Sequence, residues 1–482
     1  MSLSLALSSS LSGLSLSSRG TQVVADNVAN AQTESYGVRV LTQASRVLGN
    51  SGSGVLATGV RRELDTALLG DLRKAHADKL SADLKSDFWS RMETSIGRPG
   101  ESDSLSAQVD MLDAALLRAT ADPSSTALLT KVVEAANGIS QQFKTMHALL
   151  QSQRDIADHA IARDVEMLNL NLEKISDLNS QIQRQTLLGG APEALVDERQ
   201  RLINQVAEVV SITEVPRENG RVMLIGQGGS ILVDNSAEPF GFVRTPMPEA
   251  HYSLASGDLS PVTLAGRSLT GKSGLLAAGR LGGYLDIRDN AAPEVQQKLD
   301  RLAFDLAERF MQPGIDPSLP PGAFGLFVLE GGAALPADPI GSADLLRTNP
   351  AVDPGHAGEV FRLRDGIGLG SPIPGMEHDN SLLAQLRMVL RDALPMPGHD
   401  ANRSAAGHIA EVTSALAIRR LGFDQQSVGY TARFAALSEA FSARGVDTDA
   451  ELSRLLVLEQ SYAANARVIS TIDAMFRSLM EI

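Results

Sequence analysis

The sequence predicts a mainly α protein with β-rich insertions (α+β), with coiled-coil helices at its N- and C-termini, a long helical bundle and a small β-rich middle region. Three observations carry that expectation. Apolar residues step by three and four at both ends of the chain. The same period runs through a long internal stretch in which two seams are separated by neither proline nor glycine. At Ser211 the pattern gives way to short apolar runs divided by Glu-Asn-Gly and Asp-Asn-Ser. A three-four step keeps side chains on one helical face, whereas short apolar runs bounded by turn residues belong to strands.

The N-terminal seam comprises Leu3, Leu7, Leu14, Thr21, Val24 and Val28 in a serine-rich segment. Residues 1–60 are read as this helix followed by an extended linker. From Asn27 to Val60 the chain is rich in Asn, Thr, Ser and Gly, and the alternation Val38, Val40, Thr42 is too short to define a strand. Residues 61–210 are the outgoing half of a bundle. Leu64, Leu68, Leu72, Leu80, Leu84 and Phe88 mark one helix. Asp122-Pro123-Ser124-Ser125 stops a helix and caps the next. The clearest seam follows, Leu129, Val132, Ala136, Ile139, Phe143, Met146 and Leu150, and then Val165, Leu168, Leu172, Ile175, Asn179 and Ile182. Gly189-Gly190-Ala191-Pro192 turns the chain into Leu195, Leu202, Val206 and Val209.

Residues 211–283 form the β-rich insertion, with strands at Ile212 to Val215, Val222 to Ile225, Ser230 to Val233 and Gly241 to Val243. A returning helix covers 284–311, interrupted near Pro293. Residues 312–375 are dense in Pro and Gly and are read as loops with a few strands. Residues 376–445 are the returning half of the bundle, and Arg444-Gly445-Val446-Asp447 breaks its last helix. Thr448 and Glu451 have capping-box spacing, which starts a separate helix over 446–482. Its seam is Leu455, Leu458, Tyr462, Asn465, Ile469, Ile472, Phe476 and Leu479. Both ends of the chain are therefore expected at one pole.

Composition removes several function classes. The 482-residue chain has 43% hydrophobic residues, enough for substantial cores, and a formal charge of −14 that argues against nucleic acid or anionic lipid as partner. It contains no cysteine, so disulfides, thiolate metal sites and cysteine nucleophiles are excluded. No Lys or Arg precedes Arg19 and serines interrupt the apolar stretch, so a conventional secretory signal is not expected. No apolar run is long enough to span a bilayer.

Candidate chemistry is sparse. Gly266-Arg267-Ser268-Leu269-Thr270-Gly271-Lys272-Ser273 fits the P-loop pattern, in which backbone amides cradle phosphates and Lys and Ser serve phosphate and Mg²⁺. Its surroundings argue for a Gly-rich turn instead: only a stub, Val262 to Ala265, precedes it, and Gly274, Gly279, Gly282 and Gly283 interrupt the following helix. Gly226-Gln227-Gly228-Gly229 reads as a hairpin turn. Histidines such as His76, His147, His159 and His408 never occur at metal-binding spacing and are read as solvated surface groups. The acid pairs Asp286 and Asp289, and Asp197 and Glu198, lie beside Arg288 and Arg199, which favours local ion pairing over acid–base catalysis. No catalytic residue, cofactor or metal ligand is assigned.

The terminal seams differ from the internal ones because breakers cut them off from the bundle. Two helices paired only with each other leave much of their apolar surface open, which points to neighbouring subunits. The assembly residues are thus Leu3, Leu7, Leu14, Val24, Val28, Leu455, Leu458, Tyr462, Asn465, Ile469, Ile472, Phe476 and Leu479. Asn465 on the seam is expected to set register.

At this point the chain resembles the FlgK family of flagellar hook-associated proteins. Leu11-Ser12-Gly13-Leu14 and Asp26-Asn27-Val28-Ala29-Asn30-Ala31, ending at Tyr36, are similar to the signature shared by rod, hook and hook-associated subunits. Gln32-Thr33-Glu34-Ser35 departs from the usual Thr-Pro-Gly-like turn. Three further segments are similar to this family in particular: Leu195-Val196-Asp197-Glu198-Arg199-Gln200-Arg201-Leu202, Gly282-Gly283-Tyr284-Leu285-Asp286-Ile287-Arg288-Asp289-Asn290, and Leu458 to Ser470. The resemblance implies a non-enzymatic axial subunit, secreted by the flagellar type III export apparatus. It implies a homo-oligomeric junction ring between hook and filament, with hook protein below, the next hook-associated protein above, and an export chaperone on the C-terminal helix. Residues 312–375 correspond to an outer domain reduced to a stub. The alternatives are another axial subunit of hook or rod type, or a nucleotide-binding enzyme using the Gly266 to Ser273 loop. Disordered ends are expected in the isolated chain.

Overall fold

The computed structural model describes residues 3–480 apart from 34–35, 49–50, 98–100, 103, 270–273, 333 and 399–400. The chain opens with helix α1 (Leu3–Ala29) and an antiparallel hairpin, β1 (Val38–Leu48) and β2 (Ser51–Glu63). Helices α2 (Thr66–Ile96), α3 (Leu105–Ala121), α4 (Thr126–Leu187) and α5 (Glu193–Val209) follow. Helix α4 holds 62 residues and is about 90 Å long at 1.5 Å per residue. Ser125 caps it, accepting the Leu128 N–H, and Gly189 ends its final turn at φ 70°.

Both internal seams lie on α4 and are buried along their whole length. The first faces a core built with Trp89, Leu112, Leu299, Phe310, Phe327, Leu386 and Leu416. The second, from Ile161 to Ile182, faces another core made with α5, the small sheets and Leu281. One helix thus serves two packing units end to end.

The insertion contains β3 (Ile212–Pro216), β4 (Val222–Gly226) and β5 (Ile231–Val233) in one sheet, and β6 (Phe240–Gly241), β7 (Thr263–Leu264) and β8 (Arg267–Ser268) in another. The chain returns through α6 (Gly279–Asp286) and α7 (Ala292–Arg309). Between them a π-helical turn, Ile287–Ala291, accommodates Pro293, so the helix bends its hydrogen-bond pattern there rather than stopping. Strand β9 (Phe327–Leu329), helix α8 (Ser342–Leu345), strand β10 (Leu346–Thr348) and helix α9 (Arg362–Asp365) make up the Pro/Gly-rich segment, with β9 and β10 paired antiparallel. Helices α10 (Ser381–Arg391), α11 (Ala405–Ser442) and α12 (Thr448–Met480) complete the chain.

Three expectations need correction. The segment to Val60 is not a linker: β1 and β2 pair from Val38 with Glu63 to Leu48 with Ser51, with register shifts after Thr42 and Ser45. Gly52, Gly54 and Gly59, among the residues that suggested a linker, are strand residues, and their pairing is set by the strand across the turn rather than by local alternation. Helix α2 starts at Thr66, not Arg61, because β2 runs to Glu63 and Asp65 caps the helix through the Leu68 N–H. The cap of α12 is Asp447, whose Oδ1 accepts the amides of Asp449 and Ala450, rather than a Thr448–Glu451 box.

Candidate assembly interface

Helices α1 and α12 pack side by side and antiparallel: Gly13 lies against Asn465 and Gly20 against Leu458. A Cβ on Gly13 would sit 2.6 Å from Asn465 Nδ2, and one on Gly20 would sit 2.9 Å from a Leu458 methyl, so these glycines permit the approach. The seven-residue spacing of Gly13 and Gly20 on one helix matches that of Leu458 and Asn465 on the other. Asn465 makes no bond across the pair; its Nδ2 donates to Ser461 O in its own helix, 3.0 Å away. It contributes to register by its fit against Gly13 rather than by pairing.

The seam is closed only in part. The face of α1 that is buried carries Ser10, Ser17, Gly20, Val23, Val24 and Asn27. Of the predicted N-terminal residues, Val24 belongs to it, Leu3, Leu7 and Leu14 are half-buried beside it, and Val28 is exposed. The leucine stripe therefore lies to one side of the tight contact, where small residues sit. On α12, Ile472 is buried and Leu455, Leu458, Asn465 and Ile469 are half-buried, while Tyr462, Phe476 and Leu479 are 50%, 42% and 59% exposed. Each terminal helix nonetheless has the other to pack against.

The signature after α1 has a definite structural task. Asn27 is fully buried, and its Nδ2 donates to Arg39 O at 2.9 Å while its Oδ1 accepts Arg39 N–H at 3.0 Å and Tyr36 O–H at 2.9 Å. One side chain thus stitches the end of α1 to the start of β1. Burial pushes the Tyr36 phenol up to about 12. Midway along α1, Ser12 Oγ accepts the Val55 N–H and Gly54 lies against Ser9 and Ser12, so the hairpin covers another face of the helix. The Glu34 and Ser35 part of the departure from the signature lies outside the described residues.

A second open face lies on α11. Its inner side runs antiparallel to α2, with His76 stacked on Phe434 at 4.7 Å, Trp89 over Phe423 at 6.1 Å and Ser427 Oγ donating to Asp83. Arg444 and Asp65 form an ion pair at the far end. Beyond Leu416 no described residue of α11 is buried, and Ile418, Leu421 and Val428 point outward, Ile418 being 72% exposed. Their three-then-seven spacing was a readable signal that the sequence reading did not use.

The remaining motifs are structural. Gly266 follows Ala265 in a two-residue turn, φ 76° and 49°, that joins β7 to β8, so the first half of the P-loop-like segment is a hairpin. Thr270 to Ser273 lie outside the described residues, and α6 begins only at Gly279. Gly226 to Gly229 form the β4–β5 turn. His408 departs from the surface expectation: it is fully buried, with Nε2 2.9 Å from Leu394 O. Among the described residues no group of three potential ligands could hold a metal, and no helix is long and apolar enough to cross a membrane.

The acid pairs do make ion pairs, although not always with their neighbours. Arg288 and Asp158 are both fully buried and 2.7 Å apart, and Arg288 also holds Asp289. The carboxyl of Asp289 is pushed up by burial, against the pull of Arg288. Asp158 accepts Thr245 N–H, while Arg154 donates to the carbonyls of Glu249 and Tyr252. This cluster pins the long β6–β7 connection across α4. Arg199 is buried and donates to Asn179 Oδ1 and Gly220 O, with burial lowering it to about 10, whereas Asp197 pairs with Arg39 and Arg62 of the hairpin.

Sequence comparisons identify this architecture. Residues 438–482 match the family described as Flagellar basal body rod FlgEFG protein C-terminal, and residues 89–312 match the Flagellar hook-associated protein FlgK helical domain. The chain is 26% identical over 313 residues to Flagellar hook-associated protein 1 of Salmonella typhimurium, covering 62% of this chain and 54% of that protein. Against the protein of the same name in Escherichia coli (strain K12) it is 24% identical over 312 residues, covering 63% and 56%. The chain thus matches little more than half the length of these two relatives. Flagellar hook-associated protein 1 of Bacillus subtilis is 21% identical over 497 residues and covers 95% and 94%. Among solved structures, the flagellar hook junction protein FlgK from Burkholderia pseudomallei aligns at TM-score 0.45 and 17% identity, over 54% of this chain and 46% of that one.

The sequence matches make the chain a structural protein of the bacterial flagellum. Its residues 89–312 carry the helical domain of the FlgK family of flagellar hook-associated proteins, and the relatives it matches bear that family's name.

Proposed function

We propose that the chain is the subunit of a junction ring between hook and filament, assembled through α1 and α12. The observation that supports this most directly is the half-open seam: α4 buries both of its apolar stripes, whereas Tyr462, Phe476 and Leu479 remain uncovered on α12. Contiguous apolar surface of this kind is a docking face, and copies related by rotation about an axis would cover it in a closed ring. Hook protein on one side and the next hook-associated protein on the other are the neighbours this reading requires. Before assembly the same face needs cover, the task assigned to an export chaperone. Secretion through the flagellar export apparatus places the subunit outside the cell.

Ile469→Asp tests the reading. Ile469 is half-buried on α12, and a charge there, once neighbours enclose the seam, costs several kcal/mol. The expected result is a folded monomer by circular dichroism and hooks that carry no filament in cells lacking the native gene. Full-length filaments on the mutant would refute terminal-helix assembly.

A further inference from the structure

Helix α1, the hairpin and α12 pack on one another, yet among the described residues none of them contributes a side chain to either hydrophobic core of the bundle. The terminal unit is attached to the bundle by the chain itself and by polar contacts. The most concentrated of these is at Asp197, on the first half of α5. Its Oδ2 receives Arg39 Nη2 from β1 at 2.7 Å, and its Oδ1 lies 3.1 Å from Arg62 Nε of β2. All three side chains are largely buried, with 20%, 17% and 13% of their surface accessible.

The surroundings make Asp197 hard to replace. Arg62 stands near Arg73 and Arg199 as well as Arg39; burial lowers the guanidiniums of Arg62, Arg73 and Arg199, and the charge of Arg62 adds to the lowering at Arg73 and Arg199 as that of Arg39 does at Arg62. Glu214 is a second carboxylate within this group, and it is already held by Arg73 at 2.9 Å and by Gln200. Arg73 further donates to Asn204 and Gln200 of α5. Four guanidinium groups thus stand among three carboxylates, Asp197, Glu214 and Asp26. Arg39 is also bound into the terminal unit, since Asn27 grips its backbone, Tyr36 stacks on it at 5.1 Å and Asp26 lies 3.5 Å away. A carboxylate on the bundle therefore grips a residue that is rigidly coupled to α1.

We infer that Asp197 is an electrostatic latch that fixes the direction in which the terminal coiled coil leaves the bundle. With Asp197 neutral, Arg39 and Arg62 repel each other and the neighbouring guanidiniums, while no described residue of the hairpin is anchored in either hydrophobic core. The coiled coil then swings about its chain connections at Glu63 to Thr66 and Ala443 to Thr448. In this reading the LVDERQRL segment, Leu195 to Leu202, is a joint: Asp197 faces the terminal unit, and Arg199 and Gln200 face the bundle and the insertion. The inference concerns the geometry of one chain and does not rest on the ring.

The absence of native cysteine allows site-directed spin labels at exposed Ser18 on α1 and exposed Ser180 on α4, with distance distributions read by double electron–electron resonance on the full chain. The expected result is a single narrow peak for the native latch, retained by Asp197→Glu, and a broad, displaced distribution for Asp197→Asn. The native chain in 1 M NaCl, where the Debye length is about 3 Å, is expected to broaden in the same direction. The salt arm decides the matter if Asp197→Asn does not fold. An unchanged narrow peak in Asp197→Asn, or in high salt when that variant is unfolded, overturns the inference.

Discussion

The internal half of α4 and the terminal helix α12 carry the same three-four pattern, and the protein uses it in opposite ways. On α4 the positions from Leu129 to Leu150 and from Val165 to Ile182 are enclosed by helices and strands of the same chain. On α12 only Ile472 among the predicted seam residues is buried. Periodicity defines a face, and the number of elements around a helix decides how much of that face is covered. Helix α4 is surrounded by α3, α5, α6 and α7, whereas α12 has α1 as its principal partner. The surroundings of α4 are thus complete in one chain, whereas those of the terminal unit, like the outer face of α11, are not.

The largest effect that would test this contrast comes from the buried ion cluster of the bundle. Arg288→Ala leaves Asp158 uncompensated in a fully buried site, and an unpaired buried charge costs about 3–5 kcal/mol. A large drop in the denaturant midpoint is expected, and a midpoint close to native would mean the site is hydrated. Phe143→Ala, at a fully buried seam position, is expected to cost about 3–5 kcal/mol by removing packed volume. Calorimetry of this variant and of Tyr462→Ser makes the comparison directly.

Asn27→Ala should act locally. It leaves the Arg39 backbone groups and the Tyr36 hydroxyl without their shared partner, at about 1–3 kcal/mol. Hydrogen exchange is expected to quicken in α1 and the hairpin while α4 keeps its protection. Equal loss of protection in both regions would show that the terminal unit and the bundle unfold together.

Tyr462→Ser should change monomer stability by no more than about 0.5 kcal/mol, as exposed substitutions do, yet impair assembly. If it lowers monomer stability as much as Phe143→Ala does, the seam is closed within the chain in solution. Limited proteolysis offers the same comparison without mutation: protected ends agree with the α1–α12 pair, and ends cleaved ahead of the bundle favour disorder before assembly.

The smallest predicted effect is a pH dependence within the bundle. Burial pushes the Asp300 carboxyl above its ordinary value, despite the N–H groups of Gly341 and Ala343 that it accepts. A raised carboxyl binds its proton more tightly in the folded state, so its contribution to stability is fully present below the ordinary value of 3.8 and is lost as pH rises through the folded-state value. The stability of the native chain relative to Asp300→Asn should therefore decline with rising pH across that interval. A flat difference between the two urea titrations would show that Asp300 does not titrate there.

Much of the architecture was legible because it is written in local pattern. The two α4 seams, the Ser125 cap, the Gly189 turn, the first three insertion strands and the breaker at Arg444 to Asp447 all depend on residues a few positions apart, whereas the strand expected at Gly241 to Val243 lies at Phe240–Gly241 and β7 and β8 were not foreseen. The hairpin over residues 38–63 was not legible, since Val38 needs Glu63 to define its register and neither strand alternates clearly alone. The contact between α1 and α12 was not legible on α1, where Gly13 and Gly20 meet α12 rather than the neighbouring leucines alone. Close helix approach favours small residues, which an apolar-periodicity reading passes over.

By itself the sequence determined that this is a long helical protein with a β-rich middle, helices at both ends and no thiol chemistry, because periodicity, turn residues and composition act over short range. Only the tertiary structure decided that Asn27 binds α1 to the hairpin, that Asp197 reaches Arg39 and Arg62 instead of its neighbour Arg199, and that α12 keeps an open face. Those outcomes depend on which side chains meet across a turn, 12 residues apart for Asn27 and Arg39 and 158 for Arg39 and Asp197, and on how many elements surround each helix, neither of which apolar spacing encodes.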